Sequence, residues 1–413
     1  MLITKIMGVS MLRNKNFIRL IIGSFISAIG SLGVNFLLSL YIFDNTKSIN
    51  LLIFFNMMML IPGTLVPLII GPVVDSVNKK NIIINLDLIQ FFIFLMITIF
   101  SKYSQFNYIF FLVLGLINIS INTFYNIAFY AFIPDIVEKH DLQKVYSITS
   151  MMDPLIKVLI IPISIFLYTS FGIWIIFLIN SLTYIIAVFI EKYISYEYLP
   201  KKKEHKSFFI TFMENTHETI KYLKKEKGIK NIYIYFMIGM FGYSSIANLL
   251  YPFFEKHNTF SIQNYSQVMV AASTGLIIGG ILHYFIKIPS KNKYLIALSV
   301  YILINTINAI IVYLPFQLMI ITYFLYGVLS INSYNIRQTT TQVYIDANIR
   351  GRINGVFTVL NSLAMILGSI LCMFLAKYLP YEIIITLFCS LGVLGAIKFI
   401  YLEKEEVKNI YNL

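Results

Sequence analysis

The chain has 413 residues, 58% of them hydrophobic and only 12% charged, with a mean hydropathy of +0.78. So few polar residues cannot coat a soluble surface of this length, and lipid is the solvent that such a chain suits. A formal net charge of +13 would suggest a nucleic-acid binder if the protein were soluble. The positions of the Lys and Arg residues argue instead for membrane topology.

A helix that crosses about 30 Å of hydrocarbon needs about 20 apolar residues. Runs of that kind fall near residues 17–43, 50–74, 81–100, 107–132, 143–168 and 172–190, then 231–254, 265–287, 294–313, 316–342, 353–376 and 381–400. Lipid offers no partner for a free backbone N–H or C=O, and the runs lack the alternation of barrel strands, so helices are predicted. The expected fold is an all-α integral membrane protein with twelve spans in two six-helix bundles. The expected domains are an N-terminal bundle over 1–190, a basic linker over 191–230 and a C-terminal bundle over 231–413.

If the N-terminus is cytoplasmic, the outer loops hold only Lys47, Lys102, Lys256 and Lys377, and Lys157 and Arg337 lie within spans. The rest of the 32 Lys and Arg residues then collect on the inner side. This positive-inside asymmetry predicts cytoplasmic N- and C-termini. No long apolar core precedes the first span, so no cleavable signal is expected and span 1 serves as its own insertion signal. Trp174, at the outer end of span 6, suits the headgroup boundary.

Polar residues then appear in stripes. Ser24, Ser27, Ser31 and Asn35 lie within roughly 80° of arc on span 1, as do Asn118, Asn122 and Asn126 on span 4. In span 3 stands Asp87, near the inner face, either a second candidate for the proton-coupling carboxylate or a partner of the basic loop before it. Span 5 carries Asp153 and Lys157 four residues apart on one face, with the acid N-terminal in the favoured order. A charge at mid-helix costs about 2.5 to 3.5 kcal/mol on insertion scales, so these two are expected to pair. The pair is either structural or a proton site in which protonation of Asp153 releases Lys157.

The linker combines Lys201, Lys202, Lys203 and Lys206 with Phe209, Phe212, Met213, Ile220 and Leu223 at helical spacing. It reads as an amphipathic helix on the anionic inner leaflet or as a solvated basic linker. In the second half, span 7 offers Tyr243, Asn248 and Tyr251. Span 10 places Tyr326, Ser330, Ser333 and Arg337 within roughly 60° of arc, and Arg337 is a coupling candidate that either attracts an anionic substrate or balances a carboxylate across the bundle. Each Ser or Asn of these stripes is either cavity lining or glue between helices. Asn305 and Asn308 on span 9 belong to a helix expected to be peripheral. Cys372 and Cys389 lie inside spans and read as small apolar packing residues.

The turn after span 2, Gly71-Pro-Val-Val-Asp75-Ser-Val-Asn-Lys79-Lys80, resembles the loop signature of the major facilitator superfamily. Gly71, Asp75, Lys79 and Lys80 match it, while Ser76 and Asn78 depart. Along the chain, Phe17 with Ile26-Ser27 and Gly30-Ser31, Asp87, Pro134-Asp-Ile-Val137, Phe177-Leu-Ile-Asn180, Gly275, Gly279-Gly280 and Arg350-Gly351-Arg352 resemble the branch that holds macrolide-efflux proteins and the enterobactin exporter. In span 5 the sequence lacks the glycine that would complete that branch's Gly-Pro element after Pro162. The resemblance implies two bundles rocking around a midplane cavity lined by spans 1, 4, 7 and 10. It also implies that Asp75 braces the inner face at the N-terminus of span 11, where unsatisfied N–H groups meet a carboxylate.

No phosphate loop of the Gly-x-x-x-x-Gly-Lys-Ser/Thr kind occurs, and no soluble stretch is long enough for an ATPase domain. The five His residues form no ligand set, and no nucleophile motif is visible. No cofactor, metal, nucleic acid or enzymatic activity is therefore expected. The predicted function is secondary active transport in the plasma membrane by a monomer, with protons and a small-molecule substrate as partners. By resemblance it is an exporter of amphipathic molecules such as drugs or siderophore-like compounds. A nutrient importer of the same fold and a nontransporting, receptor-like protein are the competing readings.

Overall fold

A computed structural model of the chain describes residues 14–138, 142–196, 219, 221–285, 288–345 and 347–412. Helix dominates, and no strand occurs among the described residues. Among the described residues, twelve long helices follow one another: α1 (Lys15–Thr46), α2 (Ile49–Ser76), α3 (Lys79–Tyr103), α4 (Tyr108–Ile136), α5 (Leu142–Phe171), α6 (Ile173–Lys192), α7 (Lys227–Lys256), α8 (Ile262–Phe285), α9 (Lys293–Ile310), α10 (Phe316–Tyr344), α11 (Ala347–Leu375) and α12 (Tyr381–Gly395). A π-helical turn, Ala396–Tyr401, extends α12, and a short α13 (Lys404–Tyr411) follows. Among the described residues, eleven helices are long and apolar enough to cross a membrane, and α5 adds a shorter apolar segment, Leu155–Phe171.

Local chemistry places the helix starts. The Asn14 side chain accepts hydrogen bonds from the N–H groups of Asn16 and Phe17, each at 3.1 Å. Asn107 caps α4 by accepting from Phe110 N–H at 3.0 Å. Pro315 and Pro380 precede α10 and α12, where a missing N–H costs nothing. Gly172 separates α5 from α6 at φ 88°, a backbone angle that side chains with a Cβ rarely adopt.

Met96, Leu159, Phe166 and Leu367 are each at least 60% exposed. Apolar side chains pointing outward at this density suit a hydrocarbon surround.

The chain packs as two units, one of Met1–Thr46 with Ile61–Lys206 and one of Lys47–Leu60 with Ser207–Leu413. In the first, α6 packs on α1 and α3, α5 on α1, and α4 on α3. One core gathers Phe17, Leu20, Val74, Ile83, Phe132 and Val145, and Tyr184, Phe94, Phe177 and Phe111 form a neighbouring run of ring contacts. Past the end of α6, Asn16 donates to the Ser195 carbonyl at 2.8 Å and accepts from its N–H at 3.0 Å. Ile194 is buried there, so the chain stays docked beyond Lys192 before the linker.

In the second unit, α7 packs on α11 and α12, α8 on α10, and α9 on α12. The α8–α10 contact is backbone to backbone: a Cβ on Gly327 would stand 2.0 Å from the Ala272 carbonyl oxygen, and one on Gly275 would stand 2.1 Å from that of Phe324. Helix α13 buries Val407, Ile410 and Tyr411, and the Tyr411 and Tyr301 hydroxyls meet at 2.5 Å. Cys372 and Cys389 are buried and unbridged. The expected amphipathic segment of the linker lies outside the described residues, apart from Thr219 and residues 221–223; Leu223 packs against the core of this unit.

Residues Lys47–Leu60 attach to this unit through Lys47, whose Nζ lies 2.6 Å from Glu255 Oε1, and through Asn56, which donates to Asn248 Oδ1 at 3.1 Å. Lys47 is 62% exposed, and an exposed ion pair contributes about 1 kcal/mol at most. Glu255→Gln is therefore expected to leave the thermal unfolding midpoint of the purified protein nearly unchanged, with a loss of less than about 1 kcal/mol.

Candidate functional site

Each unit has an open cavity with polar side chains in its lining. The one in the first unit has a volume of about 190 Å³, room for several waters. Ser24, Ser27, Ser31 and Asn35 of α1 line it, with Asp87 of α3, Asn122 and Asn126 of α4, and Asp153 of α5. Tyr125 and Tyr184 add hydroxyls from α4 and α6.

The polar stripes meet in one network. Gln90 and Asn122 both donate to Asn118 Oδ1, at 3.2 and 3.0 Å, while Asn118 donates to Asn35 Oδ1 at 3.0 Å. The Tyr184 hydroxyl donates to Asn122 Oδ1 at 3.3 Å and meets Ser31 Oγ at 2.9 Å. Asn118 is buried and joins helices, whereas Asn35, Asn122 and Ser31 both join helices and face the cavity. Each of these amides has a side-chain partner on another helix or one turn away, so the stripe is held largely by its own members.

Asp153 and Lys157 do not form the pair that their spacing predicts. Ion pairs among the described residues include Lys47–Glu255, Lys79–Asp135 and Lys404–Glu405, but not Asp153–Lys157. Asp153 is exposed on the cavity wall and Lys157 is half-buried outside the lining. A solvated carboxylate gains little from a partner one turn away, so helical spacing alone does not bring the charges together.

Asp87 is also placed differently from the simple expectation. Lys79 bonds Asp135 at 2.5 Å and Lys80 donates to the Lys192 carbonyl at 3.0 Å, leaving neither on Asp87. Asp87 is 1% exposed and its Oδ2 has no hydrogen-bond partner. Gly71 and Asp75 fall in the last turns of α2, and the Asp75 side chain lies outside what is described. Glu191, which the sequence places at the start of the linker, is instead fully buried at the end of α6. Its signal was the spacing: Asn180, Tyr184 and Glu191 fall within about 40° of arc on one helix face.

The cavity of the second unit measures about 300 Å³. Tyr326, Ser330, Ser333 and Arg337 of α10 line it, as does Tyr243 of α7. A further cavity of about 460 Å³ shares Met240, Tyr334, Arg337, Phe357 and Asn361 with it. Asn248 does not reach the cavity; it is buried and donates to the Ser244 carbonyl at 2.8 Å and to Ser369 Oγ at 3.0 Å. Tyr301, Asn305 and Asn308 of α9 do line it, a helix expected to be peripheral. Their spacing of four and three residues is a helical stripe that the sequence displays.

Arg337 is the cation of this cavity. Its Cζ stands 4.8 Å from the Phe236 ring centroid, 5.1 Å from that of Phe357 and 5.5 Å from that of Tyr334. Ring faces stabilise a guanidinium without neutralising it. Its Nε is buried without a hydrogen-bond partner, and no carboxylate pairs with it among the described residues. The arrangement therefore presents a positive charge and an aromatic wall to whatever enters.

Long apolar helices around cavities large enough for several waters or a small molecule are the architecture of a multi-pass membrane protein, and the family match places it in a class of secondary transporters. The Major Facilitator Superfamily description matches residues 20–369, and the chain belongs to this family. Solved structures agree on the fold. The nucleoside transporter NupG is 16% identical, with a TM-score of 0.68 over 95% of this chain and 99% of that one. A D-xylose-proton symporter is 15% identical, with a TM-score of 0.64 over 94% and 96%. A mutant of the peptide transporter POT in complex with alafosfalin is 9% identical, with a TM-score of 0.72 over 98% and 97%. Among curated proteins, none matches the sequence.

Proposed function

We propose that the protein is a proton-coupled exporter of amphipathic small molecules that carry an acidic group, working by alternating access with both termini in the cytoplasm. The observation that carries this reading is Arg337: a guanidinium without a carboxylate partner among the described residues, held against three aromatic rings in a cavity of about 300 Å³. Such a wall favours a ligand with a flat apolar body and a negative end. Carboxylates facing the other unit's cavity supply groups that can exchange protons. Outward direction rests on the likeness of the sequence to the macrolide-efflux and enterobactin-exporter branch. Import is the second reading, favoured by the fold shared with a D-xylose-proton symporter.

Vesicles of known orientation separate the two. Inverted vesicles energised to an acidic interior are expected to accumulate acidic amphipathic compounds, and dissipation of the proton gradient should abolish the uptake. Compounds of one scaffold in acidic, neutral and cationic forms should rank in that order. Accumulation only in right-side-out vesicles would make the protein an importer, and flux indifferent to the gradient would remove proton coupling.

A further inference from the structure

The first unit contains a second buried carboxyl, that of Glu191, joined through Tyr125 to the cavity that Asp87 lines. Glu191 is 0% exposed and Asp87 1% exposed, and each has one oxygen with no hydrogen-bond partner. The Tyr125 hydroxyl donates to Glu191 Oε1 at 3.2 Å and meets Ser24 Oγ at 2.7 Å. Asp87, Ser24 and Tyr125 all line the cavity, while Glu191 lies behind Tyr125. The two carboxyls also interact electrostatically with one another and with Tyr125. Helix α1 makes room for this: a Cβ on Gly23 would stand 2.8 Å from Glu191 Cγ.

The surrounding charges are turned elsewhere. From α1, Arg19 donates to the Tyr193 carbonyl, and from α3, Lys80 donates to that of Lys192. Lys79 is paired with Asp135. Among the described residues, the other titratable groups facing the pair are the hydroxyls of Tyr125 and Tyr184, with Asp153 of α5 on the same cavity wall. Two buried carboxylates with no cation on them among the described residues cannot both stay ionised at low cost, and binding a proton resolves the conflict.

We propose that Asp87 and Glu191 form a proton-binding site in which the Tyr125 hydroxyl links the buried Glu191 to the cavity. A proton entering from the cavity adds to a carboxylate oxygen and leaves by the same face, changing the charge of the site by one. Asp87 and Glu191 bind the proton, and Tyr125 is a positioning residue. The inference deepens the coupled-transport reading and rests on it for its purpose, but the site can be observed without any substrate.

Infrared difference spectra of the full-length protein in liposomes, recorded across pH steps, test it with the proton as the only probe. The wild-type protein should show a protonated-carboxyl band that titrates. Asp87→Asn and Glu191→Gln should each remove or markedly shift this band, Tyr125→Phe should move its midpoint, and Glu405→Gln at the exposed C-terminal helix should leave it alone. Should Glu191→Gln fail to fold by size-exclusion chromatography, Asp87→Asn and Tyr125→Phe still decide the matter. A band unchanged in the folded variants overturns the assignment. A band that responds to sodium at constant pH replaces the proton with that ion and overturns it too. Gradient-driven flux that survives both carboxyl variants defeats this site while leaving coupled transport standing; a titrating pair in a protein without such flux does the reverse.

Discussion

Arg337→Ala is expected to weaken binding of an acidic amphipathic compound by about ten- to a hundredfold while the protein stays folded. A hydrogen bond to a charged group contributes about 1.5 to 3 kcal/mol, and each 1.4 kcal/mol is tenfold in affinity. The loss should be confined to the charged end of the ligand, because Phe236, Tyr334 and Phe357 remain in place to hold the ring system. A neutral analogue should therefore bind the variant and the wild type about equally. Arg337→Lys is expected to fall between the two, since an ammonium keeps the charge but loses the planar fork and its stacking. Equilibrium binding of radiolabelled acid and neutral analogue to the purified protein measures both. Equal affinity of the acid for wild type and Arg337→Ala would show that the guanidinium does not meet the ligand.

Gly327→Val is expected to disrupt the second unit. A Cβ there would lie 2.0 Å from the Ala272 carbonyl oxygen and 2.8 Å from the Leu276 nitrogen, both backbone atoms that cannot turn aside. The helices α8 and α10 would have to separate. Overpacking of this kind costs typically about 1 to 3 kcal/mol and more where backbone must move. A large fall in the thermal midpoint and a loss of monodisperse protein should follow. Gly280→Ala supplies the contrast on the facing helix, because the nearest atom to its new methyl is 4.0 Å away. Alanine is the better helix former by about 0.8 to 1 kcal/mol, so that variant should be neutral or slightly more stable. Thermal unfolding of the two variants side by side checks the prediction; similar midpoints would mean that the close approach of α8 and α10 carries no weight.

These cases show how unevenly the site could be read from residues alone. The stripes on α1, α4 and α10 were legible because a helix repeats every 3.6 residues, so spacing alone puts Ser27, Ser31, Asn122 and Arg337 on polar faces. What those faces meet was not legible. Asn248 and Asn118 became partners of other helices, while Asn305 and Asn308 of a supposedly peripheral span reached a cavity. Asp153 and Lys157 had the spacing of a pair and do not form one. Glu191 sat next to a run of charges at a span boundary, where a carboxylate ordinarily means solvent, and burial against α1 was hidden from view.

Composition and the period of the hydrophobic pattern determined by themselves that the chain is a helical membrane protein, because lipid leaves the backbone no other way to satisfy its polar groups. They also marked which residues are too costly to be placed in a span without a reason. Only the tertiary structure decided which of those residues meet. Contacts such as Tyr125 with Glu191, or Arg337 with Phe236 and Phe357, join residues far apart in the chain, and their geometry depends on how closely neighbouring helices approach. That approach is set by small residues such as Gly23 and Gly327, whose importance comes from the atoms they leave room for.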